Sequence, residues 1–197
     1  MKTLLMLTLI CISHFAIAAN GIFAINDTCF NFGCFPGDSG GHPITITQPG
    51  SYQLTSNIIS VSNTSNIIEI NADNVTLDLN GFSIIGPRTC TGDNASLVCS
   101  NSGMTANAIF ASARKNITVK NGMTKGFNTG VKLESLNQRG NKVMNITSSE
   151  NEFGIVVIKG VIENSMAMRN LDTGFSNGLL GTLMLINSAK CQPSCRI

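Results

Sequence analysis

The stretch Asn74-Val75-Thr76-Leu77-Asp78-Leu79-Asn80-Gly81 decides the fold of this chain. Val75, Leu77 and Leu79 alternate with Thr76 and Asp78, the period-two pattern of a strand buried on one face, and Asn80-Gly81 closes it with a turn. The theme returns as Asn116-Ile117-Thr118-Val119-Lys120-Asn121-Gly122. A helix would need apolar residues three and four apart over about ten positions, and Asn, Gly and Thr break every stretch before that length is reached.

Weaker copies follow at Asn141 to Thr147, Val161 to Ala167 and Leu183 to Ala189. Asn121, Asn145, Asn164 and Asn187 then fall at equivalent positions, in steps of 24, 19 and 23 residues. A period of roughly 20 to 25 residues marks a solenoid in which each repeat is one supersecondary unit. The expected fold is therefore all-β, a parallel β-helix of about five or six coils. Asparagine, 23 residues of 197, acquires a role in it. Its side chain tolerates the left-handed backbone of a tight turn, and stacked carboxamides can form a ladder. On this reading Asn121, Asn145, Asn164 and Asn187 form one interior row, Asn151 and Asn170 a second, and Phe127, Phe153 and Phe175 stack in the core or along one edge.

Two segments carry a resemblance. Ile44-Thr45-Ile46-Thr47-Gln48-Pro49-Gly50-Ser51-Tyr52-Gln53-Leu54, followed by Asp73 to Phe82, resembles the opening of bacterial right-handed parallel β-helix proteins of the pectate-lyase-like superfamily. The resemblance spans residues 42 to 190 and is strongest before 135. It implies a right-handed helix of three short parallel sheets per turn, begun by a capping strand. It also implies an acidic polysaccharide as substrate where members are lyases, hydrolases or epimerases, while other members are non-catalytic. The motif speaks for fold and poorly for function, because one fold carries many chemistries.

The organisation along the chain follows. Lys2, the apolar run Leu4 to Ile12 and Ala16-Ile17-Ala18 read as a secretory signal over residues 1–18, too short and too interrupted for a membrane anchor. An irregular N-terminal cap is expected over 19–43, the β-helix over 44–190, and a tail over 191–197. Within the helix the segment 86–105 loses the alternation and is expected to leave the stack as a disulfide-tied loop beside a binding surface. An open C-terminal coil would offer a site for self-association.

Cysteine use agrees with a secreted or periplasmic location. Cys29, Cys34, Cys90, Cys99, Cys191 and Cys195 form three close pairs, and nearest-neighbour disulfides are expected in an oxidising compartment. The competing arrangement places Cys29, Cys34, Cys191 and Cys195 around a zinc ion. Charged residues make up 12% of the chain and the formal net charge is +2 without any run of like charges, so the footprint of a nucleic-acid binder is missing.

Chemistry is sparsely signed. Polysaccharide hydrolysis needs two carboxylates close together, and elimination needs a calcium site of clustered acids with a base beside it. The candidate outward residues are Glu69, Asp78, Lys120 and Arg114, with Asp73 at a turn. Asp78 and Lys120 occupy the same place in successive strand motifs and should be neighbours on an outer face, most simply as an ion pair. His42 beside Asp38 and Ser39 is a poor triad, since triads are assembled from separated segments. The expected function is non-catalytic, either binding of a carbohydrate or surface partner or a structural role, with no metal and no cofactor. The alternative is a lyase-like enzyme with Asp78, Lys120 and Arg114 as catalytic suspects, calcium entering only there. The triplets at Asn26, Asn63, Asn74, Asn94, Asn116 and Asn145 match the glycosylation acceptor pattern, as chance alone produces in a chain this rich in Asn, Ser and Thr.

Overall fold

The computed structural model describes residues 21–92, 96–135 and 140–176, and the backbone of two strands at 183–186 and 189–191. The expected signal, the Cys191–Cys195 pair, Asn187 and most of the last coil lie outside the described residues or side chains.

The chain is all-β, and its pattern repeats. β1 (Ile22–Ile25) and the four-residue helix α1 (Cys29–Phe32) precede the first repeat, which holds β2 (Ile44–Ile46), β3 (Gly50–Leu54) and β4 (Ile58–Ile59). The second holds β5 (Ile68–Ile70), β6 (Val75–Asp78) and β7 (Ser83–Ile85), after which the chain leaves the stack through β8 (Cys90–Thr91) and β9 (Val98–Cys99). The third and fourth repeats use two longer strands each, β10 (Asn107–Ser112) with β11 (Ile117–Lys125), and β12 (Thr129–Glu134) with β13 (Lys142–Ser149). The fifth returns to three, β14 (Phe153–Val157), β15 (Gly160–Glu163) and β16 (Met166–Met168). The sixth is β17 (Thr173–Ser176), β18 (Leu183–Ile186) and β19 (Ala189–Cys191).

Each strand pairs in parallel with its counterpart one repeat away. This builds an 11-stranded and a 6-stranded sheet, and among the described residues only β8 and β9 pair antiparallel. The register reproduces the sequence period: Lys120 faces Met144, Met144 faces Glu163 and Glu163 faces Ile186, steps of 24, 19 and 23. Long parallel sheets visited in turn by successive strands are compatible with a β solenoid. The larger sheet bends at Asn121 and Asn145, which sit mid-strand in β11 and β13 with φ of 60° and 52°.

Alternation in the sequence becomes continuous apolar rows. Tyr52, Leu77, Val119, Val143 and Ile162 line up in the larger sheet, and all are buried. In the smaller sheet Ile44, Ile68, Ile109, Val131 and Ile155 do the same. These rows belong to one hydrophobic core, and burial of each such side chain contributes about 1.5 to 3 kcal/mol.

Three expectations change. The N-terminal segment is less irregular than expected, because β1 pairs in register with β3 and its Phe23 stacks on Tyr52 at 5.0 Å. The Asn121 and Asn145 row is on the outside: Asn145 is exposed and Asn164 likewise, while the interior row is Asn151 and Asn170, both 0% exposed. The reason is backbone handedness. A left-handed residue turns its own side chain away from the core, whereas Asn151 and Asn170 each follow a left-handed residue, Glu150 or Arg169, and point inward. The three phenylalanines do not stack, since Phe153 faces Thr129 and Thr173, Phe175 faces Ile155, and Phe127 takes the place of an inward Asn.

The inward Asn row belongs to a satisfied polar seam. Thr124 Oγ1 donates to Ser148 Oγ (3.1 Å), Ser148 Oγ donates to the Gly154 carbonyl (2.8 Å), and Asn151 Nδ2 donates to Ser148 Oγ (3.0 Å). Asn170 Oδ1 accepts from Asn151 N (3.0 Å), and Asn151 Oδ1 accepts from Phe127 N (2.8 Å). Gly130 faces this seam because a Cβ there would collide with the Ser148 and Thr124 hydroxyls. Buried polar groups are tolerated where every member finds a partner.

Candidate functional site

The sequence candidates separate into two places. Lys120 and Asp78 stand opposite one another in β11 and β6, with Lys120 Nζ 3.3 Å from Asp78 Oδ2. Asp78 Oδ1 is already engaged, accepting from Asn80 N at 2.8 Å and from Asn121 Nδ2 at 3.1 Å. Arg114 is elsewhere, between β10 and β11, where its carbonyl accepts from Asn141 Nδ2 (3.0 Å) and its buried Nε lacks a partner. Glu69 accepts from Asn66 and Asn71 carboxamides at 3.2 and 3.1 Å, and Asp73 Oδ1 accepts from Lys115 N at 3.1 Å. Each of these four carboxylate or ion-pair positions therefore holds a corner or a neighbouring repeat in place.

The cap group behaves likewise. Asp38 spends both oxygens on backbone amides, of Cys34 (2.9 Å) and Thr45 (2.8 Å). His42 faces Ser60 rather than Ser39: its Nε2 lies 2.9 Å from Ser60 Oγ, and Phe30 stacks on the imidazole with centroids 4.1 Å apart. Burial lowers the His42 pKa below its ordinary value. Cys29 is joined to Cys34 and Cys90 to Cys99, as nearest-neighbour pairing requires, so Cys29 and Cys34 have no thiolate to offer a zinc ion. Among the described residues no three His, Cys, Asp or Glu side chains gather closely enough to hold a metal ion.

A charged seam that sequence reasoning missed lies where segment 86–105 crosses the stack. Arg88, 1% exposed, places Nη1 2.8 Å from Glu152 Oε2 and donates from Nη2 to the Asn101 carbonyl (3.3 Å). Glu150 accepts from Cys90 N (3.3 Å) and lies within 3.4 Å of Lys125 Nζ and 3.5 Å of Arg169 Nε. Arg169 also donates to the carbonyls of Gly92 (2.8 Å) and Cys90 (3.3 Å). One signal was present: Glu150-Asn151 and Arg169-Asn170 are charged-Asn pairs in the same place of successive repeats. The left-handed first residue sends its charge outward and the following Asn inward, at a cost of about 1 to 2 kcal/mol for each non-glycine residue so placed.

This geometry can bind, clamp and orient. The carboxylates named above accept from amides and pair with cations of the fold itself. Compared with protein-family models, with curated proteins and with solved structures, the chain matches none of them.

Proposed function

We propose that this chain is a secreted or periplasmic right-handed parallel β-helix protein of the pectate-lyase-like kind, one that binds a carbohydrate or surface partner or serves a structural role without catalysing a reaction. The observation that carries the reading is the commitment of the carboxylates. Asp38, Glu69, Asp73, Asp78, Glu150, Glu152 and Glu163 each accept hydrogen bonds from, or pair with, groups of the fold itself. A general acid or base needs a free position within hydrogen-bond reach of the substrate. The two disulfides support an oxidising compartment.

The alternative, a lyase or related enzyme on an acidic polysaccharide, draws on one contact, the outward Lys120 and Asp78 pair at 3.3 Å. A screen of acidic polysaccharides for new unsaturated ends, with and without added calcium, tells the two apart. The expected result is no turnover. Robust turnover that disappears in Asp78→Asn would replace the first reading with the second.

A further inference from the structure

We infer that the 86–105 loop is a lengthwise strap that ties the second repeat to the fourth and fifth, so that the stack opens as one unit instead of repeat by repeat. The path of the chain carries the inference. After β7, Gly86 N donates to the Lys125 carbonyl and Arg88 N to the Gly126 carbonyl, both in the third repeat. Two residues on, Cys90 N reaches Glu150 at the end of the fourth. Two further on, the Gly92 carbonyl accepts from Arg169 at the end of the fifth. An extended chain rises about 3.3 Å per residue and strands lie about 4.8 Å apart, so two residues suffice for each repeat crossed.

The chain then comes back. Cys99 pairs with Cys90 in the β8–β9 hairpin, Ser100 N donates to the Thr89 carbonyl (2.9 Å), and Asn101 Nδ2 donates to the Pro87 carbonyl (3.0 Å). Thr105 and Ala106 next donate to the Asn63 carbonyl, ahead of β5, before β10 resumes the stack. A hairpin of two-residue strands is not stable by itself. The Cys90–Cys99 bond holds it closed, and the groups it presents, the Cys90 amide and the Cys90 and Gly92 carbonyls, are those that Glu150 and Arg169 bind.

In an ordinary solenoid each repeat contacts only its neighbours, and stability is close to a sum of nearest-neighbour terms. This strap adds contacts between residues 60 to 79 apart that skip whole repeats. The later repeats, which carry the buried polar seam of Ser148, Asn151 and Asn170, are the ones it clamps.

Hydrogen exchange read by mass spectrometry on the full chain tests this. In the wild type, β5 to β7 and β14 to β16 are expected to exchange through the same opening. In Cys90→Ser/Cys99→Ser, β14 and β16 should exchange about tenfold faster while β3 and β6 stay within about twofold. Arg169→Gln keeps the disulfide and should give the same separation at about threefold. If the double variant fails to fold, Arg169→Gln alone decides. Acceleration confined to 86–105, or equal acceleration in every repeat, overturns the strap.

Discussion

Arg88 and Glu152, 64 residues apart, form a 2.8 Å ion pair in which the guanidinium is sealed from water and the carboxylate is about one third open to it. The two ends of the pair are therefore not equivalent. Removing Glu152 strands a buried cation, whereas removing Arg88 leaves an anion that water can reach. Breaking a buried pair from the stranded side costs on the order of 3 kcal/mol. Glu152→Gln should consequently destabilise the protein by about that amount, and Arg88→Met by clearly less. Urea unfolding of both variants measures the difference, and equal losses would contradict the asymmetry.

The two asparagine rows should respond in opposite ways. Asn170 is fully buried and its Oδ1 satisfies the Asn151 amide, so Asn170→Ala leaves a buried donor unpaired and a void besides. A loss of about 2 to 3 kcal/mol is expected. Asn145 is exposed with φ of 52° and donates to Asn121 Oδ1 at 2.9 Å. Glycine adopts that backbone freely, and Asn145→Gly should cost less than about 1 kcal/mol. Thermal midpoints of the two variants provide the comparison, and a larger drop for Asn145→Gly would contradict the outward placement of the Asn121 and Asn145 row.

What the sequence makes legible is what repeats locally. Val75, Leu77 and Leu79 announce their own burial, and the spacing from Asn121 to Asn145 to Asn164 is the register spacing itself. Which asparagine row faces inward is not written in that pattern, because it depends on whether the asparagine itself or the residue before it takes the left-handed backbone. The seam of Arg88, Glu150, Glu152 and Arg169 is harder still. It joins one aperiodic loop to two corners, and a lone arginine between Pro87 and Thr89 reads as a solvated side chain until the third dimension buries it. Asp78 and Lys120 were readable as neighbours because they share a register position, while Arg114, in a turn, has no register to place it.

The Asp78 and Lys120 contact is open to water on both sides, with side chains 20% and 34% exposed. Lys120→Met should therefore cost about 0.2 to 1 kcal/mol. Asp78→Asn should cost more, because Asp78 Oδ1 also accepts from Asn80 N and Asn121 Nδ2 at the corner. A double-mutant cycle in low and high salt isolates the pair, and its coupling should shrink as ionic strength rises. Coupling well above 1 kcal/mol, or insensitive to salt, would mean that the pair is shielded in a way its exposure does not explain.

His42 ties the cap to the first repeat through Ser60, and its pKa lies below the ordinary 6.5 because burial disfavours the imidazolium. The folded protein thus binds fewer protons at this site than the unfolded chain does between the two pKa values. Stability from this group is complete above pH 6.5 and is lost as pH falls from there through the folded value. The residue is exposed at its rim, which keeps the effect small, but its sign is fixed. Between about pH 7.5 and 5.5 the wild type should lose thermal midpoint slightly faster than His42→Gln does. Parallel pH profiles would overturn the lowered value, since burial in the cap would then not disfavour the charged ring. A steeper fall in the variant would reverse the sign and require that the folded cap prefers the charged ring.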